Sequence, residues 1–305
     1  MKGEQRKYST CWHSFAVAVV YLASSNFSFY QKTPRKGFHR SLFIVHSVLR
    51  VTTVSYLNTK PLLYGIFQAG LEQELEISLD IPSECARKLI SGEAELGLIP
   101  VGVLPQIADY RIVSDYCIGA EREVKTVCIF SQVPLAELTH LYLDYHSQTS
   151  VRLAQVLLKE YWQLAPTLLP AEVGFIDKIH GTTGAVIIGD RTLGLDERFA
   201  YVYDLAKAWH DHTKLPFVFA AWVARAPLPV GFEARFNAAL ASGIAHIPQL
   251  VQLIPSPHPK FSLEEYYTRY ISYTLDAPKR AALALFLEKI SAHGVTATEM
   301  SPRNE

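Results

Sequence analysis

From Arg50 onward the chain alternates short β-rich runs with helical patterns, and this alternation narrows its fold more than any other feature. Arg50-Val-Thr-Thr-Val-Ser55 reads as a strand, and Asn58-Thr-Lys-Pro61 opens a helix that runs to about Gln68 and stops at Gly70. Asn58 or Thr59 would cap that helix and Pro61 would sit in its first turn. Leu75-Glu-Ile-Ser-Leu79 reads as a second strand. Ile81-Pro-Ser83 opens a second helix, with Ser83 as cap and Gly92 as stop, and residues 94–99 form a third strand. Strand, helix, strand, helix, strand within fifty residues is the signature of a parallel sheet with crossover helices.

The pattern resumes after a break. Val124-Lys-Thr-Val-Cys-Ile-Phe130 reads as a long strand, Leu141-Tyr-Leu-Asp144 as another, residues 149–161 as an amphipathic helix and Ala185-Val-Ile-Ile-Gly-Asp190 as a buried strand. Residues 203–209 read as a turn or two of helix, residues 217–224 as a long returning strand, and residues 232–247, 263–270 and 278–293 as helices. An outgoing strand at 124–130 and a returning one at 217–224 imply an α/β chain of two lobes, the second inserted in the first. The lobes are residues 48–128 with 222–298, and residues 129–221. In open α/β sheets ligands sit beyond the carboxyl ends of strands. The loops after Ser55, Ile99 and Ile188 are therefore the expected walls of a cleft between the lobes.

With 49% apolar and 19% charged residues, a disordered or fibrous chain is excluded, and 305 residues suit two lobes. Twenty-nine basic groups balance twenty-nine acidic ones, but residues 1–50 hold eight basic groups against Glu4 alone. The rest carries twenty-one basic and twenty-eight acidic groups, a net of −7, which argues against nucleic acid as the main partner. Cys11, Cys85, Cys117 and Cys128 form no CxxC and no zinc spacing with the histidines, so neither a disulfide framework nor a metal site is expected. Phe15-Ala-Val-Ala-Val-Val-Tyr-Leu-Ala23 imitates the apolar core of an export signal but is too short to span a bilayer. Residues 1–47 are expected to be disordered or untranslated and outside the fold, and the unpaired cysteines suit a reduced, cytoplasmic chain with no membrane partner.

Several segments carry a resemblance. Val54-Ser-Tyr-Leu-Asn-Thr-Lys-Pro61, Ile81-Pro-Ser83, Leu98-Ile-Pro-Val101, Leu143-Asp-Tyr-His-Ser-Gln-Thr-Ser150, Ile188-Gly-Asp190, Tyr203-Asp-Leu205 and Thr213-Lys-Leu-Pro-Phe-Val-Phe-Ala220 resemble, in order and spacing, the chorismate dehydratase family of the menaquinone pathway. The resemblance covers about residues 49–290. It implies a type II periplasmic-binding-protein-like fold used as an enzyme. The implied reaction is elimination of water from chorismate to give 3-[(1-carboxyvinyl)oxy]benzoate on the futalosine route, with no metal or organic cofactor.

On that reading Asn58 lies against the substrate ring as the catalytic residue, although an amide is a poor general base and pattern alone makes it a helix cap. Ser55 and Tyr56 could bind a carboxylate or merely close the strand end. Ser147, Thr149 and Ser150 offer more hydroxyls than one helix N-terminus needs, which suits a substrate carboxylate. Thr126 keeps the hydroxyl of a family Ser. Asp144 would repel an anion, so it is expected to accept loop N–H groups. Asp190 could be a turn residue or a cleft carboxylate and is read as structural, and His146 is read as a loop residue. Gln148, Lys214 and Glu121-Arg122-Glu123 depart from the family's usual Arg, Gly and Gly-containing turn. A solute-binding protein of the same fold and a dihydroxynaphthoate synthase of the same pathway are the alternatives.

Overall fold

The structure, a computed structural model, describes residues 48–294. The basic leader, its apolar run and Cys11 lie outside the described residues. The first sheet contains β1 (Leu49–Val54), β2 (Leu75–Asp80), β3 (Leu96–Pro100), β4 (Arg111–Ala120), β10 (Phe217–Ala224) and β11 (Ser272–Thr274), in the order β11-β4-β10-β3-β1-β2. The second contains β5 (Val127–Ser131), β6 (His140–Leu143), β7 (Thr167–Pro170), β8 (Thr183–Ile188) and β9 (Tyr201–Asp204), in the order β7-β6-β8-β5-β9. Each sheet is the spine of one lobe.

The βαβ reading of the first fifty residues holds. β1 and β2 pair in parallel from Leu49↔Leu75 to Val54↔Asp80, joined by α1 (Lys60–Gln68), and α2 (Pro82–Ser91) leads to β3, also parallel to β1. α2 has no side-chain cap; Ile81 precedes it and Pro82 takes its first turn, so Ser83 lies inside the helix. The sheet as a whole is mixed rather than parallel, because β10 returns antiparallel between β3 and β4. α1 packs on α5 (Phe232–Ala245), and Gly65 permits that approach: a Cβ there would meet the Ala239 carbonyl oxygen at 1.9 Å.

Two differences from the sequence reading bear on the cleft. β4 fills the apparent break before residue 124; its alternating burial is interrupted where the register with β10 shifts twice, which blurs the period-two signal. The outgoing strand therefore starts at Val127 and lies wholly in the second sheet, while the returning strand lies wholly in the first. The chain crosses between sheets at residues 121–126 and again at 214–216, where Lys214 ends α4 (Leu205–Thr213) with φ +64°. That left-handed backbone explains why a glycine would suit position 214. α6 (Ala277–Ala292) packs on both β10 and α3 (Gln148–Leu157), a helix of the second lobe. No helix among the described residues is long and apolar enough to cross a membrane.

Candidate functional site

The two sheets meet across a cavity of about 40 Å³ that collects residues from both lobes. Tyr56 and Asn58 come from the turn after β1, Thr126 from the outgoing crossing, Ser147 and Ser150 from the first turn of α3, and Gly189 from the end of β8. Val54, Ile118, Ile188 and Phe219 supply an apolar lining suited to a ring. β1 is flanked by β2 and β3, and β6 by β7 and β8, so both turns leave a point where the strand order reverses.

On the first wall the chain leaves β1 through a 3-10 turn, Leu57–Thr59, before α1. Neither Tyr56 before the 3-10 turn nor Thr59 before the α-helix makes a side-chain cap bond. Asn58 is thus not spent on capping, the role its position first suggests. Two distant tyrosines fix it. The Tyr273 hydroxyl donates to the Asn58 carbonyl at 2.9 Å, and the buried Tyr266 hydroxyl is hydrogen-bonded to the Asn58 side chain and lies 2.9 Å from Thr126 Oγ1. Burial pushes the Tyr266 phenol well above its ordinary range, so it stays a neutral hydrogen-bonding group. Asn58 Oδ1 also accepts from the Thr59 hydroxyl at 3.2 Å. Ser55 does not line the cavity; its backbone N–H donates to Asp80.

The second wall is organised by Asp144, whose side chain is fully buried. Asp144 accepts from the backbone N–H of His146 at 3.0 Å and of Ile188 at 3.0 Å, which is the loop-holding role expected of it, and it also pairs with Arg191. Ser147 caps α3, accepting from Ser150 N–H at 3.4 Å. Thr149 Oγ1 turns away from the cavity and accepts from Gly102 N–H at 2.8 Å, tying α3 to the first lobe. Of the seven site residues read from the sequence, the structure brings five to the cavity and leaves Ser55 and Thr149 outside its lining.

Three residues matter that sequence reasoning passed over or read as structural. Asp190 reaches across the cleft and accepts Leu57 N–H with both oxygens, at 3.1 and 3.2 Å; burial raises its carboxyl to about 6 against the opposing pull of that N–H and of Lys60. His146, read as a loop residue, has its Nδ1 hydrogen-bonded to the Tyr56 hydroxyl, and burial followed by the charge of Arg191 lowers its imidazole to about 4. Tyr266 had no local signal: its helical segment reads as packing, and only the fold carries it to Asn58. The departures sort by place. Glu121 and Glu123 pair with Lys279, Lys125 and Arg269 at the crossing, and Gln148 bonds Gln106 and Arg152 beside the cleft.

The chain belongs to the menaquinone biosynthesis family, whose model matches residues 49–292. Among curated proteins it is 27% identical over 258 residues to the chorismate dehydratase of Thermus thermophilus, a match spanning 77% of this chain and 92% of that one. Solved structures confirm the fold class. A protein of Archaeoglobus fulgidus superposes with TM-score 0.65 at 16% identity, covering 83% of this chain and 100% of its own. The alkanesulfonate-binding protein of Xanthomonas axonopodis pv. citri superposes with TM-score 0.57 at 12% identity, covering 83% of this chain and 95% of its own. The fold is the two-lobed, periplasmic-binding-protein-like α/β fold.

Proposed function

We propose that this chain is a carbon–oxygen lyase that removes water from chorismate, giving 3-[(1-carboxyvinyl)oxy]benzoate in the cytoplasm. The observation that carries the reading is an uncapping Asn58 facing the N-terminus of α3 across an apolar cavity, in a chain matching most of a chorismate dehydratase. Chorismate carries two carboxylates. The N-terminus of α3, with the Ser147 and Ser150 hydroxyls beside it, offers an anion site without a basic patch. Tyr56 and Thr126 are proposed as further substrate contacts, while Ser55 and Thr149 would act through the walls they hold.

The reaction breaks the C–H bond at the ether-bearing ring carbon and the C–O bond at its hydroxylated neighbour, and the electrons complete a benzene ring. Aromatisation supplies the driving force, so the protein's task is to select this elimination by orientation. Asn58 would hold the departing hydroxyl by its amide. The substrate's own enolpyruvyl carboxylate would take the ring proton and pass it to the departing hydroxide, which leaves as water and restores the carboxylate. A cavity of about 40 Å³ holds roughly three waters, far less than a ring with two carboxylates. The lobes would therefore part to admit substrate and close again around it, which also excludes water from an enol ether.

Incubation of the protein with chorismate, followed by mass detection of the product lacking one water, tests the reading. Binding without turnover would instead favour a solute-binding protein.

A further inference from the structure

Tyr56 is held more tightly than packing requires. Its ring lies over the backbone of Gly189 from the opposite lobe, where φ is +66° and an added Cβ would stand 2.5 Å from the ring. Its hydroxyl meets His146 Nδ1, and the two rings are nearly parallel, 9° apart in plane with centroids at 6.2 Å. His146 is fixed in turn. Its N–H donates to Asp144 at 3.0 Å, its carbonyl accepts Ser83 N–H from the first lobe at 2.9 Å, and Tyr145 meets its ring edge-on at 4.6 Å. A phenylalanine at 56 would fill the same space, so this arrangement serves the hydroxyl.

We infer that His146 is a positioning residue for the elimination: it orients the Tyr56 hydroxyl so that its hydrogen is presented to an anionic oxygen of the bound substrate. This rests on the dehydratase reading. A neutral imidazole has one ring N–H and one bare nitrogen. If it offered a bare Nδ1, it would absorb the phenolic hydrogen and leave oxygen lone pairs facing a dianion. With hydrogen on Nδ1, it donates to the Tyr56 oxygen and frees the phenolic hydrogen for the cavity. Substrate entry selects the second tautomer, since only that one lets the Tyr56 hydroxyl donate to the anion. Arg191 and burial disfavour the imidazolium, and Asp144, which favours it, is already engaged by Arg191 and two N–H groups. No proton is transferred between the two residues and the substrate. The pair contributes one oriented hydrogen bond to an anion, made only when the lobes are closed.

Four variants test this: Tyr56→Phe, His146→Phe, His146→Asn, and the double Tyr56→Phe/His146→Phe, each measured for kcat/KM on chorismate and for thermal unfolding. Losing one hydrogen bond to an anion is expected to lower kcat/KM about tenfold or more in Tyr56→Phe and His146→Phe. The double variant should fall no further than the worse single one. His146→Asn, whose amide can place an N–H near the Nδ1 position, should stay within about threefold of the unaltered protein, a rescue that a purely structural role would not give. Full activity in Tyr56→Phe, losses that multiply in the double variant, or His146→Asn as poor as His146→Phe would each overturn the inference. If His146→Phe does not fold, Tyr56→Phe and His146→Asn decide. Should the unaltered protein itself leave chorismate intact, the functional reading fails first, and that outcome is distinct from active wild type with silent variants.

Discussion

The turn after β1 and the turn after β6 are built to one plan, a strand end running through polar residues into a helix, yet they spend those residues differently. After β6, Ser147 accepts the Ser150 N–H as the cap of α3 and Asp144 anchors its loop. After β1, no side chain caps the helix; a 3-10 turn and Pro61 begin it, and the Leu57 N–H is satisfied by Asp190 from the other lobe. The second lobe thus supplies a polar group that the first turn would otherwise need, and Asn58 remains available to the cavity. A polar residue at a strand end can be judged functional only when the group that does the capping is known.

That contrast can be broken most directly at Asn58. Asn58→Ala should lower kcat about 100-fold, in the range found when a single oriented polar group is removed from an active site. Its unfolding temperature should move by no more than a surface substitution would, because no cap is lost. A variant that turns over normally but melts early would restore the capping role.

Asp190 gives the next effect. Its folded value of about 6 lies above the ordinary 3.8, so the folded protein holds this proton more tightly than the unfolded chain does. Its contribution is therefore fully present below about 4 and is lost as pH rises through about 6. Asp190→Asn keeps an acceptor for Leu57 N–H without the buried charge. It should abolish that part of the pH slope and be more stable than the unaltered protein above pH 7, by about 1–3 kcal/mol. Urea unfolding at a series of pH values reads this out; parallel curves for the two proteins would show that the carboxylate is not the titrating group.

Ser147→Ala should cost about 1 kcal/mol of stability as a lost cap and raise KM several-fold if its hydroxyl also meets substrate. Thr149→Ala removes the tie to Gly102 without removing a cavity group, so its stability should fall with KM nearly unchanged. Equal KM values in the two variants would erase the distinction between lining and bracing hydroxyls.

How legible all this is in the sequence follows the range of the interactions. β1 to β3 are readable because each strand and its crossover helix are consecutive and their turns carry Asn, Pro and Gly at fixed offsets. The helix after Thr149 is readable for its apolar face, and Asp144's role follows from charge alone, since a carboxylate beside an anion site must be neutralised by N–H groups. β4 is not readable: its partners are β10 and β11, far along the chain, and two register shifts break its alternation. The same holds within the site. Tyr266 and Tyr273 reach Asn58 across more than two hundred residues, and no periodicity records such a contact. His146 looks like a loop residue because its partner, Tyr56, belongs to the other lobe.

The smallest expected effect comes from the chain crossing at Lys214, away from both turns. Lys214 sits at φ +64°, where its N–H bonds the His210 carbonyl at 2.8 Å in a left-handed helix ending, while its Nζ donates to the Asp211 carbonyl at 2.8 Å. An L side chain in that region costs about 1 kcal/mol relative to glycine. Against this, glycine gains freedom in the unfolded chain and the Nζ bond to an exposed carbonyl is lost, so the net gain for Lys214→Gly should be below about 1 kcal/mol. A rise of a few degrees in melting temperature would accompany it. The informative quantity is KM. If Lys214→Gly stabilises the fold and leaves KM for chorismate unchanged, then a stability change comparable to that of Ser147→Ala does not by itself reach the cleft, and the KM shift in Ser147→Ala belongs to its hydroxyl. If KM moves with Lys214→Gly, the crossing controls how the lobes close, and the two turns must be compared again with that motion included.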